Sequence, residues 1–375
     1  MTLLSLTSAI MASVDALRFV SLGGGDAAMT KSRNSVRVVS FNALADQYLH
    51  YQERSRPNSS WAVFDKKRRH WLLGQVFQRF VDEGVDFICL QEIDFKIARQ
   101  VLADNNGYTR LLTPTGYGQG DQRRPDTANG RGGTRVDACC IFFSREWELV
   151  GNEMIVNLDS LAGDRSTKFG RTFKRGNFGI IARLRSVFSG REVLVCNCHL
   201  FWDPKFEYVK LAQVHYMCLK VQEELECSSC PVIFCGDLNS QPGSLVHEYL
   251  STGQLFRSAE LKKLRLRQVA KGLNEKVQEW LAGEETSSTS VLENPIRHLL
   301  LESAYSSLGH GYMQEEIELT NKTADFSGVI DYIFSSSASM AQTGRLHVPK
   351  VQSALPTKKW PSDHLALGAE LFFDD

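Results

Sequence analysis

Short apolar runs that stop on polar residues punctuate the chain. Val36–Phe41 alternates and ends at Asn42, as a strand with a polar terminus does. From Phe64 to Glu83, Leu73, Val76, Phe77 and Phe80 recur at helical spacing, and Gly84 stands where a helix would stop. Val85–Leu90 predicts a buried strand that delivers Gln91 and Glu92 at its end. Strand, helix and strand in that order predict a right-handed crossover within one sheet, and so an α/β fold. Val136–Phe143 and Trp147–Val150 read as further strands, and Phe178–Leu184 with Glu192–Cys198 as a hairpin turning at Ser189-Gly190. Val209, Ala212, Tyr216 and Leu219 share one face of a helix predicted over Phe206–Glu226. Ser327–Phe334 and Asp363–Leu371 are the last strand-like runs.

Pro231–Pro242 is the stretch that organises the rest. Val232, Ile233, Phe234 and Cys235 make a run suited to a strand buried on both faces, which stops at Gly236. Asp237 and Asn239 follow at i and i+2, so a carboxylate and an amide leave the strand end on one side. Taken alone this is better explained by a strand and an Asx-turn. The same pattern recurs, however: Asn42, Glu92, His199, Asp237, Asn239, Asp331, Asp363 and His364 all stand at the ends of apolar runs. A lone Glu there is ordinarily a solvated turn residue, and a lone His a hydrogen-bonded rim residue. Eight of them from independent segments point instead to a ligand site, because ligands collect at strand ends in α/β sheets.

Composition narrows the class. The 375 residues are 43% hydrophobic and 23% charged, with 43 basic against 43 acidic side chains, which excludes a polybasic nucleic-acid coat and wholesale disorder. The local run Lys66-Lys67-Arg68-Arg69 reads as a solvated helix face. Nine cysteines, several inside apolar runs, suit a reducing compartment, and Cys227 and Cys230 lack partners at zinc spacing. No apolar run reaches the roughly 20 residues that span a bilayer, so no membrane association is expected. Residues 1–34 read as an unpatterned tail, with organelle targeting weakly signalled by Arg18, Lys31 and Arg33 against Asp15 and Asp26; a cytoplasmic protein is the expectation. Residues 113–135 read as a mobile basic loop, and 252–300 as a charged excursion with one or two short helices, Glu284–Ser290 being its most flexible part.

Carboxylates and amides without thiolates suit Mg²⁺ or Mn²⁺ rather than zinc, and two histidines among them can donate to a phosphoryl oxygen, with an Asp fixing the tautomer. That chemistry is metal-assisted phosphodiester cleavage. The ordered set SFNALAD, CLQEID, HLFWDP, PVIFCGDLNS, DFSGVIDYIF and PSDH resembles the endonuclease/exonuclease/phosphatase superfamily. Within it the set is similar to the carbon-catabolite-repressor-four-type deadenylases, with nocturnin and the Angel proteins as relatives. The resemblance implies a four-layer α/β sandwich with two central mixed β-sheets, forming a catalytic domain over residues 35–372. It implies Glu92 as the main Mg²⁺ ligand with Asn42 beside it, Asp237 and Asn239 organising the attacking water and a second metal, and His199 and His364 on the scissile phosphate. Asp331 or Asp363 would orient a histidine, and Pro204 and Phe326 would sandwich an adenine whose edge Asn239 helps to read.

The implied activity is a 3′-to-5′ exoribonuclease that shortens mRNA poly(A) tails and releases 5′-AMP. PVIFCGDLNS is also similar to the Angel proteins, which implies removal of 2′,3′-cyclic phosphate from RNA ends, and nocturnin implies NADPH as a third substrate. An RNA-binding scaffold without catalysis is disfavoured because every implied ligand is present. These deadenylases often carry leucine-rich repeats ahead of the nuclease; residues 1–34 show none, so docking through such repeats is not expected.

Overall fold

Runs that are apolar at every position need partners on both faces, and two sheets covered by helices supply them. The structure, a computed structural model, describes residues 17–22, 30–94, 107–112, 137–162, 171–256, 291–305, 319–347, 353–374, Val14, Ile97, Ala98 and Val351. The expected basic loop over 113–135 and most of the 252–300 excursion, Glu284–Ser290 included, lie outside them. In chain order the described strands begin with β1 (Arg18–Ser21), β2 (Ser35–Asn42), β3 (Phe87–Asp94), β4 (Tyr108–Leu112), β5 (Asp137–Ser144) and β6 (Trp147–Leu149). They continue as β7 (Met154–Asn157), β8 (Phe178–Ser186), β9 (Glu192–His199), β10 (Val232–Asp237), β11 (Gln254–Phe256) and β12 (Val291–Glu293). The last are β13 (Leu301–Ser303), β14 (Asn321–Lys322), β15 (Ser327–Gly328), β16 (Asp331–Ser336), β17 (Met340–His347) and β18 (Leu367–Phe373). The α-helices wholly within the described residues are α1 (Leu49–Ser55), α2 (Lys66–Asp82), α3 (Glu207–Leu225) and α4 (Leu245–Thr252).

One seven-stranded sheet runs β1-β17-β18-β2-β3-β5-β4; the other runs β13-β16-β10-β9-β8-β6, with β7 also on β8. Both are mixed, each with one parallel pair at its centre: β2 with β3, and β9 with β10. Alternation along these strands sorts the core into layers. Val36 and Val38 of β2, and Phe87 and Cys89 of β3, face Val193 and Val195 of β9 and Ile233 and Cys235 of β10 between the sheets. The intervening Val39, Phe41, Ile88 and Leu90 pack on Leu73, Val76, Phe77 and Phe80 of α2. Leu194, Cys196, Val232 and Phe234 pack on Val209, Val214, Met217 and Val221 of α3. This is the four-layer sandwich, and all nine cysteines are free thiols, only Cys227 being exposed. Helix α2 starts where Asp65 accepts the Arg68 N–H and ends before Gly84, whose φ of 64° suits the residue after a helix. Among the described residues no helix is long and apolar enough to cross a membrane.

Several expectations are corrected. Part of the supposed tail is structured: β1 pairs antiparallel with β17, and Val14, Leu17 and Phe19 are buried in the helix-side core. Three apolar residues are too few to show a period, and β1 becomes a strand only by pairing with β17. Ser327–Phe334 is two strands in two sheets, β15 on β14 and β16 beside β10. The last strand begins at Leu367, so Asp363 and His364 lie in the loop before it. The Lys66–Arg69 run is not uniformly solvated, because Arg69 is turned inward and buried.

Candidate active site

Both parallel pairs end at the same place, so the polar residues that terminate them meet. In the register Asn42 lies beside Gln91 across β2 and β3, while His199, Asp237 and Asp331 stand abreast across β9, β10 and β16. Gly236 makes the central strand possible, since a Cβ there would collide with the Cys198 carbonyl oxygen of β9. Between the sheets, Gln91 Nε2 donates to Asn197 Oδ1 at 2.7 Å, and Asn197 Nδ2 donates to the carbonyls of Leu90 and Cys140 at 2.9 Å. These bonds tie the two sheets to each other beside the site.

Asp237 is the centre. Its Oδ2 accepts from Asn42 Nδ2 at 3.0 Å and lies 3.5 Å from His199 Nε2 and 3.7 Å from His364 Nε2. Its Oδ1 accepts the Asn239 N–H at 2.9 Å. Burial, followed by repulsion from Asp331, pushes the Asp237 carboxyl up to about 7, against the opposing pull of His364, Asn42 and Asn239. Burial alone would discourage charge on His364, but Asp331, Asp363 and Asp237 outweigh it and hold the ring well above the usual histidine range. Its Nδ1 donates to Asp331 at 2.9 Å, so Nε2–H faces Asp237.

Glu92 reaches the site through a bulge. Leu90 pairs with Cys140 and Ile93 with Ala138, so Gln91 and Glu92 oppose the single residue Cys139, and Glu92 takes a φ of 49°. Its Oε2 accepts the Ala45 N–H at 3.3 Å, and its Oε1 lies 3.9 Å from His199 Nε2. Asn239 is likewise left-handed, at φ 47°, held by its Nδ2 on the Leu200 carbonyl and by Lys210 Nζ, which donates to its carbonyl at 2.6 Å. Asn42 turns its oxygen to the Leu44 N–H at 3.0 Å, so as positioned it serves Asp237 as a donor.

Asp363 accepts from Gln52 Nε2 at 2.7 Å and stands 3.9 Å from His364 Nε2, whereas Asp331 holds Nδ1; of the two acids, Asp331 is the one that orients the ring. Pro204 is exposed at the start of a one-turn helix capped by Asp203, and Phe326 is half-buried on the β14–β15 hairpin, its ring against Gly328. Reading the sequence did not find Gln52, Lys210, Asn197 or Arg69. Arg69 Nη1 donates to the carbonyls of Ala43 at 2.9 Å and Pro361 at 3.1 Å, and Nη2 to Asp46 at 2.6 Å, while Ser362 Oγ donates to the Asn42 carbonyl. The loops carrying Asn42 and His364 are thus tied together. The only signal was that Arg69 sits three residues before Leu72 on the apolar face of α2.

The donor set suits a hard divalent cation. Among the described residues Asp237, Asp331 and His364 bring polar atoms within 4.8 Å of one another; with the His364 ring charged, the carboxylates of Asp237 and of Glu92, which faces His199, are the oxygen donors a dication would take.

A sequence model of the Endonuclease/Exonuclease/phosphatase family matches residues 39–364. The chain is 28% identical over 369 residues to the CCR4-Not complex 3′-5′-exoribonuclease subunit Ccr4 of Saccharomyces cerevisiae, covering 91% of this chain and 39% of that one. It is 29% identical to the same subunit of Candida glabrata, covering 89% and 36%. The chain therefore spans well under two thirds of the length of these curated relatives. Among solved structures it is similar to ANGEL2, a 2′,3′-cyclic phosphatase, with a TM-score of 0.69, 20% identity and coverage of 95% and 98%. It is also similar to the human Nocturnin catalytic domain, with a TM-score of 0.60, 22% identity and coverage of 96% and 99%. With residues of strand ends and of the loop before β18 meeting at one site, and a family match over most of its length, the chain belongs to the endonuclease/exonuclease/phosphatase family.

Proposed function

We propose that the protein is a Mg²⁺-dependent 3′-to-5′ exoribonuclease that shortens poly(A) tails in the cytoplasm and releases 5′-AMP, with Mn²⁺ able to substitute. The observation that carries the phosphodiesterase chemistry is the convergence of Asn42, His199 and His364 on one carboxylate oxygen of Asp237. The choice of exoribonuclease draws on the named activity of the Ccr4 relatives.

Glu92 with Asn42, and Asp237 with Asn239, are the residues that would hold Mg²⁺, which when bound supplies Lewis-acid activation of water and neutralises charge on the phosphoryl group. The remaining work falls to the chain. Asp237, fixed by Asn42 Nδ2 and the Asn239 N–H, orients the attacking water and accepts its proton. His364, kept protonated by Asp331 and Asp363, donates its Nε2–H to a phosphoryl oxygen, and His199 offers a second donor on the other side of Asp237. Phosphate contacts are blind to the base. Adenine preference is assigned to Pro204 and Phe326, which would hold the ring, and to Asn239 at its edge.

The test is a three-way comparison of oligo(A), an oligonucleotide ending in 2′,3′-cyclic phosphate, and NADPH. Mg²⁺-dependent release of 5′-AMP from oligo(A), abolished by chelator, is the expected result. Preferential opening of the cyclic phosphate, with oligo(A) untouched, would replace this reading with an RNA-end phosphatase.

A further inference from the structure

Trp202 is 68% exposed, more than any other tryptophan whose side chain is described. Its exposure is not the slack of a loose loop, because the backbone on each side is tied down. The Leu200 N–H donates to the Asp237 carbonyl at 3.0 Å, and the Phe201 N–H donates to Gln213 Oε1 at 2.9 Å. On the far side Asp203 Oδ1 accepts the Lys205 N–H at 2.9 Å, and the Phe206 N–H closes a turn on the Asp203 carbonyl at 3.1 Å. The fold therefore presents a large flat ring to water from a fixed base, forgoing the burial that usually repays such a side chain.

What surrounds the ring is basic and aromatic in alternation. Phe201 stands behind Trp202 at 6.0 Å between centroids and meets Phe206 edge-on at 5.7 Å. The Arg175 guanidinium lies over both phenyl rings, at 4.3 Å from Phe201 and 4.8 Å from Phe206. Lys205 is exposed beside them. Trp202 follows His199 by three residues, so at roughly 3.3–3.6 Å per residue their Cα atoms are at most about 11 Å apart. The backbone that carries the ring is thus close to the site, within reach of a neighbouring nucleotide.

We propose that Trp202, backed by Phe201, Phe206 and Arg175, is a stacking platform for a base upstream of the scissile phosphate in single-stranded RNA. The proposal rests on the exoribonuclease reading and adds a base contact separate from Pro204 and Phe326. Flat rings interleaved with cations are what a single strand requires, each base stacking while the cations meet its phosphates. Such a platform tolerates any base, so it contributes hold on a longer strand rather than choice of adenine.

The experiment measures fluorescence anisotropy of labelled oligo(A) in chelator, together with kcat and KM in Mg²⁺ for a dinucleotide and for a longer oligo(A). Trp202→Ala should weaken binding of the longer strand about tenfold, as loss of one base stack does, and should shrink the preference for that strand over the dinucleotide by the same factor. The effect should fall on KM, and Trp202→Phe should restore most of it. Wild-type affinity in Trp202→Ala, or equal losses on dinucleotide and oligomer, overturns the platform while leaving the exoribonuclease reading intact. A wild-type protein that hydrolyses neither RNA overturns both.

Discussion

His364 Nδ1 lies 2.9 Å from Oδ2 of Asp331, an ion pair that joins the loop entering β18 of one sheet to the first residue of β16 in the other. The three carboxylates around the ring keep it charged despite its burial, and Asp331 is foremost among them. Asp331→Asn retains the shape and removes that charge. Turnover on oligo(A) should fall by about a hundredfold, the size seen when a charge-stabilising donor is weakened. With the His364 pKa no longer held up, the loss of activity on raising pH should also begin closer to neutrality. A kcat–pH profile of the variant with an unmoved alkaline limb would assign the proton donation to another group.

Removal of a carboxylate should be read first in metal binding. Saturation to a hundred times Kd stabilises a folded protein by about 2.7 kcal/mol. The wild-type melting temperature should therefore rise on adding Mg²⁺, and Glu92→Ala and Asp237→Ala should each lose most of that rise as well as turnover. Thermal melts in chelator and in Mg²⁺ give the comparison; a full Mg²⁺ shift in either variant removes that residue from the metal site.

Arg69 is a buried guanidinium whose partners are the Ala43 and Pro361 carbonyls and Asp46. Arg69→Met takes a donor from both carbonyls and leaves Asp46 with His70 and Lys66 alone, and should cost about 3 kcal/mol in urea unfolding, the usual order for breaking a buried pair. Turnover should fall with it, since the loops bearing Asn42 and His364 lose their shared tie. Arg69→Lys should recover little, because an ammonium cannot span the fork of three acceptors. Full recovery by Lys would show that only the charge matters.

His215 supplies a pH prediction away from the site. Its Nδ1 is 2.6 Å from the Tyr249 hydroxyl, and burial pushes its pKa down to about 3. The unfolded chain titrates near 6.5, so the neutral ring's contribution is complete above that value and is lost as pH falls towards the folded pKa. Between about pH 6 and 4 the wild type should lose about 1.4 kcal/mol more per pH unit than His215→Asn does. Parallel stability–pH lines from urea titrations would show that the ring is not buried neutral.

The chain's local pattern carries the pieces of this protein but not their meeting. Apolar runs and where they stop are local properties, so Asn42, Glu92, His199, Asp237, Asn239 and Asp331 can be picked from sequence as strand-end residues, Asp363 and His364 as polar residues beside an apolar run, and α2 and α3 from their apolar faces. Gly236 before Asp237 is legible too, because only a residue without Cβ lets β10 approach Cys198 so closely. The rest depends on partners distant in sequence. The bulge that aims Glu92 exists only against β5, where two residues face one. Asp331 and Asp363 are equal candidates for orienting His364 until β16 places one at Nδ1 and Gln52 takes the other. Arg69 looks like a surface charge until two loops, one 26 residues and the other 292 residues away, bring their carbonyls to it. Phe19 looks like tail until β17 lies beside it. Hydrophobic periodicity records what each segment must bury; hydrogen-bond partners and unpaired charges are settled only when the sheets stack, because those interactions reach just a few ångströms and have no trace in the order of the chain.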